Sequence, residues 1–342
     1  MIRVAILNVT GYAGSELARL LHGHPDVELA AVTGRSAAGK RLPEVFPHLF
    51  AIDLPIRDSI APGEFDVVLS TLPHAAAAEQ LAPHIEAGDV VVDLSADFRL
   101  HRVDEYEAHY NTTHPAPHLL SRAVFGMPEL HRDAIAASKL VAVSGCHSAG
   151  VILALAPAIA AGLLEPDIIA DTKTGLSGAG RTLGLPMHFS EADESVAPYA
   201  LDGHRHVPEM TQELSALAEA PAPAITFVPH YTPMIRGILS TCYGRLRHGV
   251  NLDREGLAQV YRDFYRDAPF EHVSDAAPAT KHVAGTNYCV IHPTISPTTG
   301  RVVIASAIDN LGKGAAGNVV QCMNLMLGLP ETAGLQSLAI FP

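Results

Sequence analysis

Residues 4–33 read VAILNVTGYAGSELARLLHGHPDVELAAVT, and the pattern of this stretch decides the fold. Residues 4–7 form a short apolar run typical of a buried strand, and residues 27–33 form a second one. Between them lie a turn with glycines at positions 11 and 14 and a segment of helical character at 15–22. Strand, glycine turn, helix and strand in this order predict the first unit of a dinucleotide-binding parallel sheet.

The glycine turn has the spacing Asn8-x-x-Gly11-x-x-Gly14, which resembles G-x-x-G-x-x-G with asparagine in the first position. Asparagine tolerates a positive φ better than most residues, so the turn can keep its shape. The residues predicted to bind the cofactor here are Thr10, Gly11, Tyr12, Ala13 and Gly14. A helix cap without a ligand is the alternative for a glycine turn of this kind.

The second strand ends in Gly34-Arg35-Ser36, at the place where a site that prefers NAD usually carries an acidic residue. An arginine beside a hydroxyl suits the 2′-phosphate of NADP, because a guanidinium can contact a phosphate through two hydrogen bonds. Arg35 and Ser36 therefore predict NADP(H) as the cofactor, with a solvated loop arginine as the alternative.

Strand and helix patterns continue to alternate as far as residue 143. We predict strands at 65–69, 90–94 and 140–143, a helix at 75–87 and a loop-rich stretch at 101–138. Such alternation predicts a doubly wound parallel sheet that binds its ligands at the carboxyl ends of its strands. Pro73 and Arg99 follow two of these strands, and we expect Pro73 to contact the cofactor. Arg99 is predicted to clamp a carboxylate or phosphate of the substrate, and a salt bridge to Asp93 or Asp97 is its alternative.

A cysteine follows the last of these strands, in the stretch 139–150, KLVAVSGCHSAG. The apolar run ends at Ser144-Gly145, Cys146 comes next, and an alanine-rich segment at 147–161 has helical character. Backbone N–H groups and the helix dipole at such a turn favour a thiolate. Cys146 is therefore the candidate nucleophile, and plain core packing is the alternative for an apolar-flanked cysteine.

The pattern changes after residue 167. A strand at 168–174 precedes a long region of poor periodicity, which in a compact domain is usually functional or disordered. Four segments are β-rich, at 225–230, 235–246, 287–295 and 301–308. Helices are predicted at 253–266 and 315–327. The β-rich segments predict a largely antiparallel sheet whose open face is covered by helices or by a second subunit.

Composition narrows the class of protein. A length of 342 residues with 48% hydrophobic content suggests two domains, and a net charge of −13 argues against a nucleic-acid binder. The 4 cysteines are scattered without a C-x-x-C pair, so they signal neither a disulfide scaffold nor a cysteine zinc site. The first residues lack the layout of a signal peptide and no apolar run is long enough to span a membrane, so we expect a cytoplasmic enzyme.

Motifs along nearly the whole chain resemble the N-acetyl-γ-glutamyl-phosphate reductase family, the third enzyme of arginine biosynthesis. In chain order they are TGYAG at 10–14, AGK at 38–40, LPH at 72–74, LSADFRL at 94–100, Gly145-Cys146, SGAGR at 177–181, HRHVPE at 204–209, TNY at 286–288 and DNLGKGAAG at 309–317. The resemblance implies an NADP-binding Rossmann domain at 1–145 and 310–342, to which the C-terminal helix returns. It also implies an inserted α+β catalytic and oligomerisation domain at 146–309 with the largely antiparallel sheet.

The chemistry implied by the resemblance divides the reduction of an acyl phosphate into two steps. Cys146 thiolate attacks the carbonyl and phosphate leaves, and NADPH then delivers hydride to the thioester. The resemblance assigns the acid–base role to His204, whose neighbour His206 would face the opposite way in an extended segment. The other expected roles are support of an imidazole by His206 and Glu209, phosphate binding by Arg181, backbone approach to the cofactor by Ser177, Gly178 and Gly180, and a place near the nicotinamide for Asn310.

Two stretches depart from the family pattern. The family's glycine at position 8 is Asn8, and its P-G-C-Y-P-T reads SGCHSA at 144–149. The alternatives that stay open are the same chemistry on carrier-bound aminoadipyl phosphate or on aspartyl phosphate, a non-catalytic NADP-binding paralog, and a zinc site at His204-x-His206. We expect a small acyl-phosphate substrate, no metal, nucleic acid or membrane partner, and a homodimer or homotetramer.

Overall fold

A computed structural model describes residues 1–219 and 221–341, so Ala220 and Pro342, which fall inside the predicted domain ranges, lie outside the described residues. The chain forms two compact units. Unit 1 comprises residues 1–144 and 315–337, and unit 2 comprises residues 145–314 with those from 338 onward. Contacts thus group 310–314 with unit 2, whereas the domain boundary predicted from the sequence falls at 309/310. The roles predicted for the two domains stay predictions.

The strands are β1 (Ile2–Leu7), β2 (Val27–Thr33), β3 (Ile56–Arg57), β4 (Val67–Ser70), β5 (Val90–Asp93), β6 (Val124–Gly126), β7 (Leu140–Val143), β8 (Asp167–Thr174), β9 (Ala197–Pro198), β10 (Ala224–Tyr231), β11 (Ile238–Gly244), β12 (Glu271–Val273), β13 (Cys289–Ile295) and β14 (Val302–Ile308). The α-helices are α1 (Tyr12–His22), α2 (Leu42–Val45), α3 (Ala77–Ala87), α4 (Val103–Tyr110), α5 (Pro128–Ala137), α6 (Cys146–Ala160), α7 (Phe189–Ala192), α8 (Val207–Leu217), α9 (Arg254–Phe264) and α10 (Gly317–Met326). Short 3-10 turns and a π-helical turn at Gly312–Ala316 connect several of them.

Unit 1 is built on a seven-stranded sheet in the order β3-β2-β1-β4-β5-β7-β6, and its strand pairs are parallel. The central strands are apolar because both faces are covered, and every residue of β4 is buried. Helix α10 packs against α1, α5 and β5 of the same unit. Its Asn318 Nδ2 donates to the carbonyl of Gly126 at 3.0 Å. The predicted doubly wound parallel sheet is confirmed.

The stretch 101–138 is more regular than the sequence suggested. It contains α4, β6, α5 and a 3-10 turn at Pro117–Arg122, so the prediction of a loop-rich stretch was wrong. Pro117 and Pro128 each stand in the first turn of a helical segment, where the missing N–H has no helical partner to lose. These prolines start helical segments instead of breaking them.

Unit 2 is built on a second seven-stranded sheet, in the order β12-β13-β14-β11-β8-β10-β9. The pairs β8–β10 and β12–β13 are parallel and the others are antiparallel. This confirms the predicted largely antiparallel sheet. Helices α6, α8 and α9 pack on strands of this sheet, and α6 is buried along nearly its whole length. Helix α8 was not predicted, because the chain between the strand at 168–174 and the β-rich segment at 225–230 was interpreted as one long region of poor periodicity.

Within residues 1–219 and 221–341, no helix is both long enough and apolar enough to cross a membrane.

Candidate active site

The predicted cofactor turn of unit 1 uses Asn8 as a left-handed residue. Its φ is 64°, and its Nδ2 donates to the carbonyl of Thr71 at 2.9 Å. The Thr71 hydroxyl donates in return to the carbonyl of Asn8 at 2.8 Å. The side chain thus joins the end of β1 to the residue after β4, while the backbone takes the left-handed conformation that favours glycine.

The geometry of the turn fits a dinucleotide. A Cβ on Gly14 would lie 2.7 Å from Cα of Val9, so this position must be glycine for α1 to approach the turn. A Cβ on Gly11 would meet nothing within 4 Å, and Gly11 opens α1 without a side-chain cap. The start of α1 thus has no side-chain cap and has open space beside Gly11, as the approach of a pyrophosphate to a helix N-terminus requires. Arg35 and Ser36 are exposed in the 3-10 turn Arg35–Ala37 after β2, as binding of a 2′-phosphate requires.

Gly14→Ala is expected to destabilise unit 1 by about 1–3 kcal/mol, because the new methyl meets backbone atoms that cannot rotate away. The matched variant Gly11→Ala places the same methyl in open space at a φ of −85°, and its stability should change by less than about 1 kcal/mol. Urea denaturation of both variants measures the difference. Equal stability of the two would contradict the close approach of α1 to the turn.

Arg99 is a buried residue of unit 1. Its Nε donates to the carbonyl of Val143 and a terminal nitrogen donates to the carbonyl of Leu94, both at 2.7 Å. These bonds tie the ends of β7 and β5 together, and substrate binding by Arg99 stays a prediction.

Pro73 is exposed after β4. Asp97, which was named from the sequence only as a possible partner of Arg99, accepts the N–H groups of Ala75 and Ala78 at 2.8 and 2.9 Å and so fixes the turn that follows Pro73.

Cys146 is the first residue of α6 in unit 2 and is partly exposed, whereas the other three cysteines are buried. The preceding N–H, of Gly145, donates to Glu209 Oε2 at 2.8 Å. A Cβ on Gly145 would lie 2.6 Å from His206 Nε2, and one on Gly314 would lie 2.9 Å from Cys146 Cβ. The turn before the thiol is therefore enclosed by an imidazole and a glycine, and Glu209 holds its backbone.

The two histidines of the 204–209 motif lie together. Their ring centroids are 4.7 Å apart and both side chains are buried, so the expectation that they face opposite ways was wrong. The reason is local: the N–H of Val207 donates to the carbonyl of His204 at 3.0 Å, which makes this segment a turn. His204 Nδ1 accepts the backbone N–H of His206 at 3.1 Å, so the neutral ring carries its proton on Nε2. Burial, and then the charge of Arg205, lower the pKa of His204 to about 4.

His147, which the sequence reading noted only as a departure from the family pattern, is also part of this cluster. It is 3% exposed, and its ring lies 5.6 Å from that of His204. Its Nε2 is 2.9 Å from the hydroxyl of Tyr199, and its Nδ1 is 3.0 Å from the hydroxyl of Thr172. Burial, reinforced by His204, lowers the pKa of His147 to about 3, so the ring is neutral at physiological pH.

This burial predicts a pH dependence of stability. In the unfolded chain a histidine binds a proton near pH 6.5, whereas folded His147 does so only near 3. The unfolded state therefore binds more protons as pH falls from 6.5 toward 3, and the native state loses up to about 1.4 kcal/mol per pH unit from this group. His147→Asn should be less stable than the parent at pH 7, but it lacks this effect. The difference in stability between the parent and the variant should therefore shrink from pH 7 to pH 5 in thermal denaturation. A deficit that is constant or grows over this range would contradict a neutral, buried His147.

Asn310 and the 177–181 loop are joined by hydrogen bonds. Asn310 Nδ2 donates to the Ser177 hydroxyl at 2.9 Å, and Asn310 Oδ1 accepts the N–H of Gly237 at 2.7 Å. Gly180 has a φ of 78°, and Gly178, Gly180 and Arg181 are exposed. The loop thus starts from a fixed point at Ser177 and offers its glycines and Arg181 to solvent. Cofactor and phosphate binding by these residues stay predictions.

The turn that follows Asn310 is capped by Asp309. Its buried carboxylate accepts the N–H groups of Leu311 and Gly312 at 2.8 and 2.9 Å. It also accepts Nε of Arg236 at 2.9 Å and the N–H of Gly285 at 2.6 Å. Asp309 therefore orders the π-helical turn that carries Gly314 to Cys146. An acidic residue before a glycine-rich helix start was the available signal.

A buried ion pair follows in the same turn. Lys313 Nζ lies 3.0 Å from Glu271 Oε1, and both side chains are almost completely buried. The ammonium also lies 5.6 Å from the centre of the Phe270 ring. No sequence signal joins these residues, because they are 42 positions apart.

Across residues 1–219 and 221–341, no group of three or more histidine, cysteine, aspartate or glutamate side chains is placed to hold a metal ion.

Family models match both units. Residues 3–138 match the NAD binding domain of semialdehyde dehydrogenases, and residues 146–310 match the semialdehyde dehydrogenase dimerisation domain. The N-acetyl-gamma-glutamyl-phosphate reductase of Dehalococcoides mccartyi strain CBDB1 is 48% identical over 340 residues, which is 99% of each chain. The enzyme of that name from Geotalea daltonii is 45% identical over 350 residues and covers 100% of both chains.

Solved structures share the fold at low identity. Aspartate semialdehyde dehydrogenase II of Vibrio cholerae, complexed with ASA, matches with a TM-score of 0.73 at 16% identity, over 96% of this chain and 98% of that one. The Candida albicans aspartate semialdehyde dehydrogenase with NADP matches with a TM-score of 0.73 at 17% identity, over the same shares. The full-length identity to the named reductases confirms the resemblance, and the chain belongs to the N-acetyl-γ-glutamyl-phosphate reductase family of semialdehyde dehydrogenases.

Proposed function

We propose that the chain reduces N-acetyl-γ-glutamyl phosphate to N-acetylglutamate 5-semialdehyde and phosphate with NADPH, in the cytoplasm, as a step of arginine biosynthesis. The observation that carries the proposal is the partly exposed thiol of Cys146 at the first residue of a buried helix. The helix N-terminus favours a thiolate there. The substrate is taken from the named relatives, which are 43–48% identical over nearly the whole chain.

In the proposed reaction the Cys146 thiolate forms a C–S bond to the acyl carbon, and the bond from that carbon to the phosphate oxygen breaks. Phosphate leaves with the electron pair, and a thioester remains on the enzyme. Bound NADPH supplies the hydride that reduces the thioester carbon. Breaking the C–S bond then releases the aldehyde and restores the thiolate.

The cofactor would be held by the turn at 10–14 with Arg35, Ser36 and Pro73, and we assign the Ser177–Gly180 loop and Asn310 to its nicotinamide side. Arg99 and Arg181 would bind the substrate's carboxylate and phosphate. The assignments of the turn, Arg35 and Arg181 rest on the open space beside Gly11 and on the exposure of the two arginines, whereas those of Arg99, Ser36, Pro73, the Ser177–Gly180 loop and Asn310 rest on the family resemblance.

His204 is suited to donate a hydrogen bond. Its Nδ1 accepts a backbone N–H, so Nε2–H is available to the carbonyl oxygen as negative charge develops there. Accepting the thiol proton falls more naturally to His206, whose ring lies against Gly145, the residue before the nucleophile. Glu209 then supports the site through the Gly145 backbone.

The assay that tests the proposal is the reverse reaction with a panel of aldehydes. N-acetylglutamate semialdehyde, aspartate semialdehyde and aminoadipate semialdehyde are each supplied with phosphate and NADP, and then with phosphate and NAD. Reduction of NADP that requires both phosphate and the first aldehyde supports the proposal. Activity on only one of the other aldehydes would show that the enzyme acts on a different substrate. The panel includes them because His147, next to the nucleophile, departs from the family pattern. Cofactor binding without activity on any aldehyde would identify a non-catalytic paralog.

We further propose that the chain forms a homodimer through the sheet of unit 2. Along β8, β11 and β13, buried residues alternate with half-buried ones, so one face of the sheet is packed and the other is open. The open face carries Leu239 and Tyr243 beside the ion pair of Lys173 with Asp171. An apolar face with both charges can complement a second copy of itself across a two-fold axis. The match of this region to a dimerisation domain supports the proposal.

Thr241→Glu is expected to dissociate the dimer, because it places a carboxylate beside Asp171 at the middle of this face. Light scattering after size exclusion should give a mass of at least twice 36.2 kDa for the parent and 36.2 kDa for the variant. Thr299→Glu, in the exposed turn between β13 and β14, adds the same charge as a control. An unchanged mass of a folded Thr241→Glu would rule out this face as the interface.

A further inference from the structure

Three polar groups from three different elements of unit 2 form a chain beside the proposed nucleophile. Thr172 lies on β8, His147 is the second residue of α6, and Tyr199 follows β9. The ring nitrogens of His147 reach the two hydroxyls, at 3.0 Å to Thr172 and 2.9 Å to Tyr199. His147 and Thr172 are buried, so bulk water does not compete for the bond between them, and the bond to Tyr199 is partly buried.

Tyr199 extends the chain to the edge of the sheet. Its ring stacks on that of Tyr231 with centroids 4.0 Å apart and planes 9° apart, and the two phenols share a hydrogen bond. The pKa of each phenol is raised by burial first and by the charge of Cys146 as a smaller cause. Both hydroxyls therefore lie within electrostatic reach of the thiolate, although no role was expected for either from the sequence.

The same rings enclose His204. Its ring centroid lies 5.6 Å from that of His147, 5.7 Å from that of Tyr199 and 5.2 Å from that of Phe227. His204 belongs to the mostly irregular segment between β8 and α8, which pairs with the sheet through β9 and through the Tyr199 N–H, a donor to the carbonyl of Pro229 at 3.0 Å. Whatever fixes Tyr199 therefore also fixes one wall of the His204 site.

We infer that His147 is a positioning residue of this enzyme: it ties Tyr199 to Thr172 and so holds the imidazole of His204 in place beside the turn that carries Cys146. The inference rests on the proposed function for the role of His204. A histidine at position 147 can bridge these two hydroxyls because its ring has nitrogens on opposite sides. An asparagine amide reaches about as far as Nδ1, which contacts Thr172, and a glutamine amide reaches about as far as Nε2, which contacts Tyr199.

This difference gives a matched pair of variants. His147→Asn keeps a partner for Thr172 and loses Tyr199, whereas His147→Gln can reach Tyr199 and loses Thr172. Tyr199→Phe removes the hydroxyl and keeps the ring on Tyr231. The control is Tyr265→Phe, which deletes a buried phenol bond of 2.6 Å to Leu153, farther along α6. The control should lower stability without changing kcat.

Steady-state kinetics on the parent's aldehyde should show kcat about tenfold lower in His147→Asn and Tyr199→Phe, with KM within about twofold. His147→Gln should recover part of the loss. The double variant His147→Asn/Tyr199→Phe should be no worse than either single variant, because both remove one interaction. Alkylation of Cys146, the partly exposed thiol, by iodoacetamide at pH 7 should slow by about threefold or more in both single variants, because the ring of His204 packs 4.7 Å from that of His206, the proposed acceptor of the thiol proton.

Normal kcat and normal alkylation in folded His147→Asn or Tyr199→Phe would overturn the inference. So would a loss of thermal stability alone, as in the control, or losses that multiply in the double variant. Failure of the proposed function looks different, because the parent would then turn over none of the aldehydes. Alkylation of Cys146 would still report in that case whether His147 controls the environment of the thiol.

Discussion

Cys146→Ser is expected to lower kcat by at least about a thousandfold, because a serine hydroxyl cannot supply the thiolate that the helix N-terminus favours. The fold should be unaffected, since the two side chains differ by one atom at a partly exposed position. Binding of NADPH, followed by its fluorescence, should stay within about twofold of the parent, because the cofactor turn belongs to the other unit.

The matched control is Cys242→Ser, which replaces a thiol buried in β11. Burial raises the pKa of that thiol to about 12, so it is not a nucleophile and its replacement should cost stability instead of activity. Turnover by folded Cys146→Ser at near the parent's rate would contradict the covalent mechanism.

Lys313→Met is expected to destabilise the protein by about 3–5 kcal/mol. The change leaves the carboxylate of Glu271, which is completely buried, without the ammonium that lies 3.0 Å from it. The effect should appear as a lower midpoint of urea denaturation, and it should fall on unit 2, where both residues lie.

The double variant Lys313→Met/Glu271→Leu tests whether the loss of stability comes from the interaction between these two residues. Replacing both charges by apolar groups removes the unpaired charge, so the double variant should be more stable than Lys313→Met alone. Additive losses in the two changes would show that the residues do not act as a pair.

The parts of the fold that follow from local pattern were predictable. The strands at 27–33 and 140–143 match the observed bounds because a buried parallel strand is a continuous apolar run with turns at each end. Asn8 could be recognised as a left-handed residue, since asparagine is one of the few that take this conformation, and its φ of 64° agrees.

The predictions failed where a local turn was not recognised from the sequence. Alternation along an extended chain separates His204 from His206, but a turn brings their rings to 4.7 Å. Helix α8 begins directly after that turn, and it was counted with the irregular region that precedes it.

Long-range polar contacts leave no trace in a single sequence. Arg236 and Asp309 are 73 positions apart, and so are Gly237 and Asn310, yet together they fix the turn that brings Gly314 against Cys146. His147 shows the same limit: it was visible as a departure beside the nucleophile, but its partners Thr172 and Tyr199 depend on where the sheet and the irregular segment meet it.

The most direct test of the central claim is detection of the acyl-enzyme. The protein is mixed with N-acetyl-γ-glutamyl phosphate without NADPH, quenched in acid, digested and examined by mass spectrometry. We predict an N-acetylglutamyl thioester on the peptide that carries Cys146, its absence from Cys146→Ser, and its loss when NADPH is added before the quench. An acyl group on another residue, or NADPH-dependent turnover by Cys146→Ser, would contradict the account.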